Sequence, residues 1–420
     1  MRAATQVPNL SSQIQLYLLD GLKQIAFSAS CSRLLSVTLN RGHKFESLEA
    51  VQGELSKYVM DFAPTGSTQT QIPFMTTAES LGSRDVIAQG VLESGGAYLV
   101  EESSLDGGAV RRLVFAANAQ VIQTEVRLLA RPNQAAKKSG GGGKKASGKN
   151  KGNKGKKKAA ADGDALAAST VVDPTYLCFD YHRAMVAALA LLPAALLHAS
   201  GLVVGLGGGA LPMAMHHLAP GLNLTCLELD AAVARVAIDF FGFGADAKLR
   251  VSIANGLAYD YGTNALALVF LDVDSKDTSV GMSAPPQEFL EASFLSRVKA
   301  GLREGGILVA NLSARSNDLS KAALDAIRAA FPNGRVFTLK PSDDDVNTII
   351  IAVNGTCATL PKAQTAALVL AKAKKKATDT STLSGVLRSR VREWLLDIPE
   401  MRTDPLGLME LVAELREITV

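Results

Sequence analysis

The chain has 420 residues, 47% of them apolar and 20% charged, with a formal net charge of +4. Length and apolar content exclude a wholly disordered chain and allow two or three domains. Its four cysteines contain no Cys-x-x-Cys pair, which argues against a zinc site and a disulfide scaffold and fits a reducing compartment.

The N-terminal region, residues 1–132, opens with helical periodicity and turns strand-like. Ala97–Glu101 and Arg112–Phe115 flank a turn at Asp106-Gly107-Gly108, a hairpin signal, and Val121–Leu129 reads as a third strand. Residues 133–170 follow as a lysine- and glycine-rich flexible linker, too poor in apolar groups to offset the entropy of ordering. Ten lysines and no acid lie between Lys137 and Lys158; without them 34 basic residues face 40 acidic ones. The folded part is therefore mildly acidic. A nucleic-acid enzyme carries its basic charge on the folded surface, so the pI of 8.7 is weak ground for that class. The linker itself is a solvated spacer or an arm toward a ribosome, RNA or another acidic partner.

Ala184 to Leu206 is long and apolar enough to suggest a membrane span. Pro193 divides it and its second half runs into glycines, so we read a buried helix followed by a buried strand, no membrane span, and a cytoplasmic protein. From there strands and helices alternate. Strands are predicted at Leu202–Leu206, Leu224–Leu229, Leu249–Ile253, Leu266–Val273, Ile307–Leu312, Arg335–Leu339 and Thr348–Val353. Helices are predicted at Ala231–Phe241, Gln287–Leu302 and Leu319–Phe331. The pattern implies a doubly wound, mainly parallel sheet. Only a short turn around Ser342–Asp345 joins the last two strands, too short for a parallel crossover, so they pair antiparallel. Five parallel strands and a closing antiparallel hairpin are the arrangement of the seven-stranded, Rossmann-like class I S-adenosylmethionine methyltransferases. The fold class expected is that α/β sheet over 171–355, with a smaller N-terminal α+β region and a helical C-terminal extension over 356–420.

In such sheets ligands bind at the carboxyl ends of the strands. The first end carries Gly205, Gly207, Gly208 and Gly209, where the backbone can turn tightly and approach a ligand. Gly205-x-Gly207-x-x-Ala210 also satisfies a dinucleotide fingerprint. Glu228, ending the second strand, is placed to hold ribose hydroxyls, and Asp230 to cap the next helix. Asn255-Gly256 ends the third strand as an adenine contact or a plain turn. The fourth strand ends in Asp272, Asp274 and Asp277, carboxylates suited to bind and orient an ammonium and to accept its proton. Asp272 and Asp274 are the candidate catalytic pair.

The runs Tyr181-His182-Arg183-Ala184-Met185, VVGLGGG, LELD, IANG and LDVDSKD resemble the spermidine synthase-like branch of methyltransferases. Residues 33–66, Arg111–Phe115, Gln123-Thr124-Glu125 and Leu271–Met282 resemble more closely the C-terminal half of the elongation factor 1-alpha lysine and N-terminal methyltransferases. That resemblance implies S-adenosylmethionine as cofactor and methylation of the elongation factor's N-terminal α-amino group. It implies a cofactor loop at Gly205, Gly207 and Gly209, ribose on Glu228, and adenine at Asn255, where the family pattern has Asp. It sets Asp272 and Asp274 beside the transfer site, and Tyr181 and His182 over cofactor and substrate. Nothing here resembles the family's lysine-methylating half. The rival readings are a polyamine synthase-like aminopropyltransferase and a non-catalytic cofactor-binding scaffold; Thr278-Ser279-Val280-Gly281 departs from the polyamine synthase motif.

Overall fold

The computed structural model describes residues 3–5, 12–16, 35–39, 47–62, 84–105, 108–116, 121–130, 170–275, 281–342, 345–355, 383–396 and 398–418. The lysine-rich linker up to residue 169, a basic run in the C-terminal extension at Lys372–Lys376, and Asp277 lie outside them. The chain divides into two compact units, residues 1–86 with 101–109, and residues 87–100 with 110–420.

The first unit holds both strands and a helix. It opens on three short strands, β1 (Ala3–Thr5), β2 (Ser12–Leu16) and β3 (Ser36–Leu39), paired antiparallel in that order. Helix α1 (Leu48–Asp61) follows, started by the Ser47 hydroxyl accepting the Ala50 N–H.

Strands β4 (Arg84–Val91), β5 (Ala97–Leu105), β6 (Gly108–Phe115), β7 (Ile122–Ala130) and β8 (Thr170–Val172) come next. The hairpin signal is met by β5 and β6, neighbours in their sheet, and β8 pairs antiparallel with β7. The sequence reading had no counterpart for β4 or β8.

The rest of the second unit is the doubly wound sheet. The expected long apolar helix is a short one, α2 (Asp180–Ala187), followed by two 3-10 turns at Ala188–Leu191 and Ala194–His198 on either side of Pro193. Proline cannot supply the N–H a continued helix needs, so the chain breaks there. Among the described residues no helix is long and apolar enough to cross a membrane. Then come β9 (Ser200–Val204), α3 (Ala210–Leu218), β10 (Asn223–Glu228), α4 (Ala231–Phe241), β11 (Leu249–Ile253) and β12 (Leu266–Leu271). Asp230 caps the first turn of α4 as expected, and Gly242, which the sequence reading did not mark, ends it in the left-handed region at φ 72°.

The predicted helix Gln287–Leu302 is split. A 3-10 turn at Gln287–Leu290 precedes α5 (Ala292–Gly301), with β13 (Met282–Ala284) before it. Strand β14 (Leu302–Ala314) is longer than expected; α6 (Asn317–Ala330), β15 (Arg335–Leu339) and β16 (Asn347–Val353) follow. The extension holds α7 (Leu383–Leu396), α8 (Leu408–Leu411) and, against the all-helical expectation, an edge strand β17 (Arg416–Glu417). Glu417 forms a two-pronged ion pair with Arg335 at 2.6 and 2.7 Å, which secures that edge.

The strand order is β11-β10-β9-β12-β14-β16-β15-β17, with β13 beside β14. The first five strands are parallel, and β16 runs antiparallel to both β14 and β15. All seven predicted strands are present in the class I methyltransferase order; β13 and β17 bring the sheet to nine. Strand β12 is buried along its whole length and β9 at all but its first residue, as parallel strands covered on both faces must be. The order reverses between β9 and β12, so their carboxyl ends form the switch point.

Candidate active site

Residues 205–209, which leave β9, turn three times through left-handed backbone, with φ of 95°, 54° and 83° at Gly205, Gly207 and Gly209. Side chains adopt such angles at a cost, so glycine is required there. Gly205 is also pressed by a neighbour: a Cβ on it would lie 2.1 Å from the Asp272 carbonyl oxygen. Cβ atoms on Gly208 and Gly209 would meet the Thr124 and Phe243 side chains at 2.7 Å. Close packing within the protein therefore demands these glycines as much as a ligand would.

Most N–H groups of the loop are engaged. Gly205 donates to Leu227 O at 2.9 Å, Leu206 to Glu228 Oε2 at 3.1 Å, Gly208 to Thr124 Oγ1 at 2.8 Å and Gly209 to Leu206 O at 2.8 Å. A diphosphate needs a cradle of free loop N–H groups, and this loop has little to offer one. The dinucleotide reading loses its physical basis there. Thr124, whose hydroxyl also donates to Gln123 O, was not singled out as a site residue. Its only trace was the Gln123-Thr124-Glu125 run.

Glu228 is buried at the end of β10. Oε2 accepts Leu206 N–H and Oε1 accepts Asp230 N–H at 3.0 Å, so the carboxylate is aimed along the loop. Burial pushes its pKa up, against the pull of those backbone donors. The side chains beyond it, Leu229 and Ile253, are 70% and 50% exposed. Apolar groups so exposed at two adjacent strand ends suit a flat aromatic ligand such as an adenine. Asn255 is exposed, and its Oδ1 accepts the Leu257 N–H at 2.9 Å, the turn the sequence allowed for. Gly256 is held beneath β9, where a Cβ would meet Val204 at 2.5 Å. Exposed apolar faces, a buried carboxylate and a glycine turn at these strand ends are compatible with an adenosine-bearing cofactor.

The opposite side of the switch point is acidic. Asp272 follows β12, its N–H donating to Val204 O at 2.9 Å and its backbone lying against Gly205. Its Oδ2 is 2.8 Å from His182 Nε2, and its Oδ1 accepts the Asn311 amide at 3.2 Å. Asn311 in turn accepts from Asn347 Nδ2 at 2.7 Å. His182 is buried, and Asp272 half-buried. Tyr181 stacks on Phe179 with centroids 5.5 Å apart and tilts against His182 at 4.3 Å. Burial, then the charges of Asp272, Asp274 and Asp345, push the Tyr181 phenol well above its ordinary pKa. It is thus protonated at neutral pH, a donor and not a base. Asp274 is exposed.

The structure thus brings together Gly205, Asp272, His182 and Tyr181, with the charge of Asp274 acting on the same phenol. Glu228 and Asn255-Gly256 line the neighbouring strand ends, and Asp277 lies outside the described residues. Asn311, Asn347 and Asp345 were missed by the sequence reading. The last two sat in and beside a segment noted only as a short polar turn, and Asn311 sat unmarked in an apolar strand.

No family model matches the chain. Over 79% of its length it is 37% identical to the eEF1A lysine and N-terminal methyltransferase of Xenopus laevis, and 36% identical to that of Homo sapiens. It covers 47% and 48% of those proteins, so the chain spans about half the length of the curated relatives it matches. A solved structure of human methyltransferase-like protein 13 in complex with SAH is 34% identical, covering 50% of this chain and 93% of that one, with a TM-score of 0.40. The resemblance read from the motifs is borne out: the chain is homologous to part of the elongation factor 1-alpha lysine and N-terminal methyltransferases.

Proposed function

We propose that the chain is an S-adenosylmethionine-dependent protein N-methyltransferase whose acceptor is the N-terminal α-amino group of elongation factor 1-alpha. The observation that carries this is the Asp272 carboxylate, clamped by His182 and Asn311 beside the glycine loop and in the same electrostatic field as Asp274 and Tyr181. The names of the relatives support methyl transfer and the elongation factor as substrate. In this reading Gly205, Gly207 and Gly209 form the cofactor loop, Glu228 takes the ribose, and Asn255 and Gly256 flank the adenine.

When bound, the cofactor supplies an electrophilic methyl group on a sulfonium. The remaining steps belong to the chain's own residues. Asp272 and Asp274 bind the incoming ammonium, orient it and draw off its proton, so that a neutral lone pair faces the methyl group. An α-amine, with an ordinary pKa of about 7.7–8.0 against about 10.4 for lysine, gives up that proton more readily at neutral pH. The protonated Tyr181 hydroxyl closes the acceptor side without competing for the proton. Alignment of the reactants supplies most of the rate.

Two measurements test the reading. Calorimetry with S-adenosylmethionine and with its decarboxylated form should show binding of the first and weaker binding of the second. Reversed preference would favour aminopropyl transfer, and binding of neither would remove the cofactor reading altogether. Incubation with labelled cofactor and unmodified elongation factor, mapped by mass spectrometry, should place the label on the first residue; label confined to internal lysines would overturn the acceptor.

A further inference from the structure

Asn311 stands out in β14. Its neighbours Val309, Ala310 and Leu312 are buried apolar residues, and Asn311 itself is 4% exposed. A buried amide is costly unless its donors and acceptor are used. Here both ends are used, and each leads to the acceptor side. Nδ2 donates to Asp272 Oδ1 at 3.2 Å, and Oδ1 accepts from Asn347 Nδ2 at 2.7 Å. The orientation is fixed by chemistry: a flipped amide would set oxygen against the Asp272 carboxylate and nitrogen against the Asn347 donor. His182 holds the other Asp272 oxygen at 2.8 Å, so the carboxylate is gripped from two sides. At the far end, the backbone N–H of Asn347 donates to Asp345 Oδ1 at 2.8 Å. Asp345 lies on the turn between β15 and β16, far from Asp272 in sequence.

We propose that Asn311 is a positioning residue: its amide locks the Asp272 carboxylate and ties it, through Asn347, to the turn that carries Asp345. The inference rests on the amine-acceptor reading above. Its physical content is preorganisation. An Asp272 free to rotate would have to reorient as the ammonium arrives, whereas a locked one presents a set array at no such cost.

The test uses the full chain and two variants, Asn311→Ala and Asn347→Ala. The second lies at a half-buried strand start and spares the core, so it decides the matter if the first does not fold. Cofactor affinity, measured by calorimetry, should change less than twofold in each. With a peptide bearing a free α-amine, KM should rise and kcat should fall, lowering kcat/KM at least tenfold. A merely structural loss would reduce the active fraction and leave the acceptor KM alone. A second readout needs no acceptor: the ring nitrogen shifts of His182, read by NMR, should move toward those of a mixed-tautomer imidazole once Asp272 is unlocked. Wild-type acceptor kinetics and unchanged His182 shifts in a folded variant would overturn the proposal. If the wild-type chain methylates no α-amine, the acceptor reading fails, and the His182 shifts still decide the relay.

Discussion

Replacing Gly205 by Ala sets a methyl group against the backbone that the account depends on. The new Cβ would lie 2.1 Å from Asp272 O, where ordinary contacts begin beyond about 3.4 Å. A shift of more than about 1 Å must therefore be shared between the loop and residue 272. The φ of 95° adds about 1–2 kcal/mol of strain for a residue with a side chain. Parting the two strand ends also weakens the Gly205 N–H to Leu227 O bond and the Asp272 N–H to Val204 O bond, each worth about 1 kcal/mol. Together these come to about 3–4 kcal/mol of stability. A 1 Å displacement of a reacting group costs about a hundredfold in rate, so the folded fraction of the variant should also be a much slower catalyst. The assay pairs urea unfolding with cofactor calorimetry and initial rates on a free-amine peptide. A Gly205→Ala protein with unfolding, affinity and rate all at wild-type level would refute the close approach of the loop to Asp272.

Three other outcomes follow from the same geometry. Thr124→Val keeps the volume but strips the Gly208 N–H of its partner, a buried loss of about 1–3 kcal/mol that urea unfolding would register, together with weaker cofactor binding. Asp274→Asn should lower turnover about 10²–10⁴-fold while the fold, followed by circular dichroism, is unchanged; undiminished turnover would remove Asp274 from its role. Burial works against the Asp173 carboxylate, but Thr175 and Arg127 together hold it below its ordinary 3.8, so the stability it contributes is complete above that value and is lost as pH falls further. Thermal unfolding followed from pH 5 downward should therefore steepen below about pH 4, and Asp173→Asn should flatten that limb.

The sheet was legible because its rules are local. Alternation of apolar runs with amphipathic ones gave the seven main strands, and a turn too short for a crossover gave the antiparallel pairing of β15 and β16. Asp230 marked the start of α4. The N-terminal strands were not legible, since β1 to β3 are only three to five residues each and become strands through pairing with one another. Strand β17 is likewise two residues made a strand by β15. In the site, Asp272 was marked as a strand-end residue and His182 through the motif resemblance, but the amides that fix Asp272 were not. Asn311 and Asn347 acquire meaning only when antiparallel β14 and β16 lie side by side, a juxtaposition no spacing rule contains.

The claim at the centre of the account is that the acceptor is a free protein N-terminus. Its most direct test compares two preparations of elongation factor 1-alpha, identical in every lysine, one with a free α-amine and one with that amine acetylated. Incubated with the chain and labelled S-adenosylmethionine, the free form should take up label on its first residue and the acetylated form should take up none. Equal labelling of both would contradict the account.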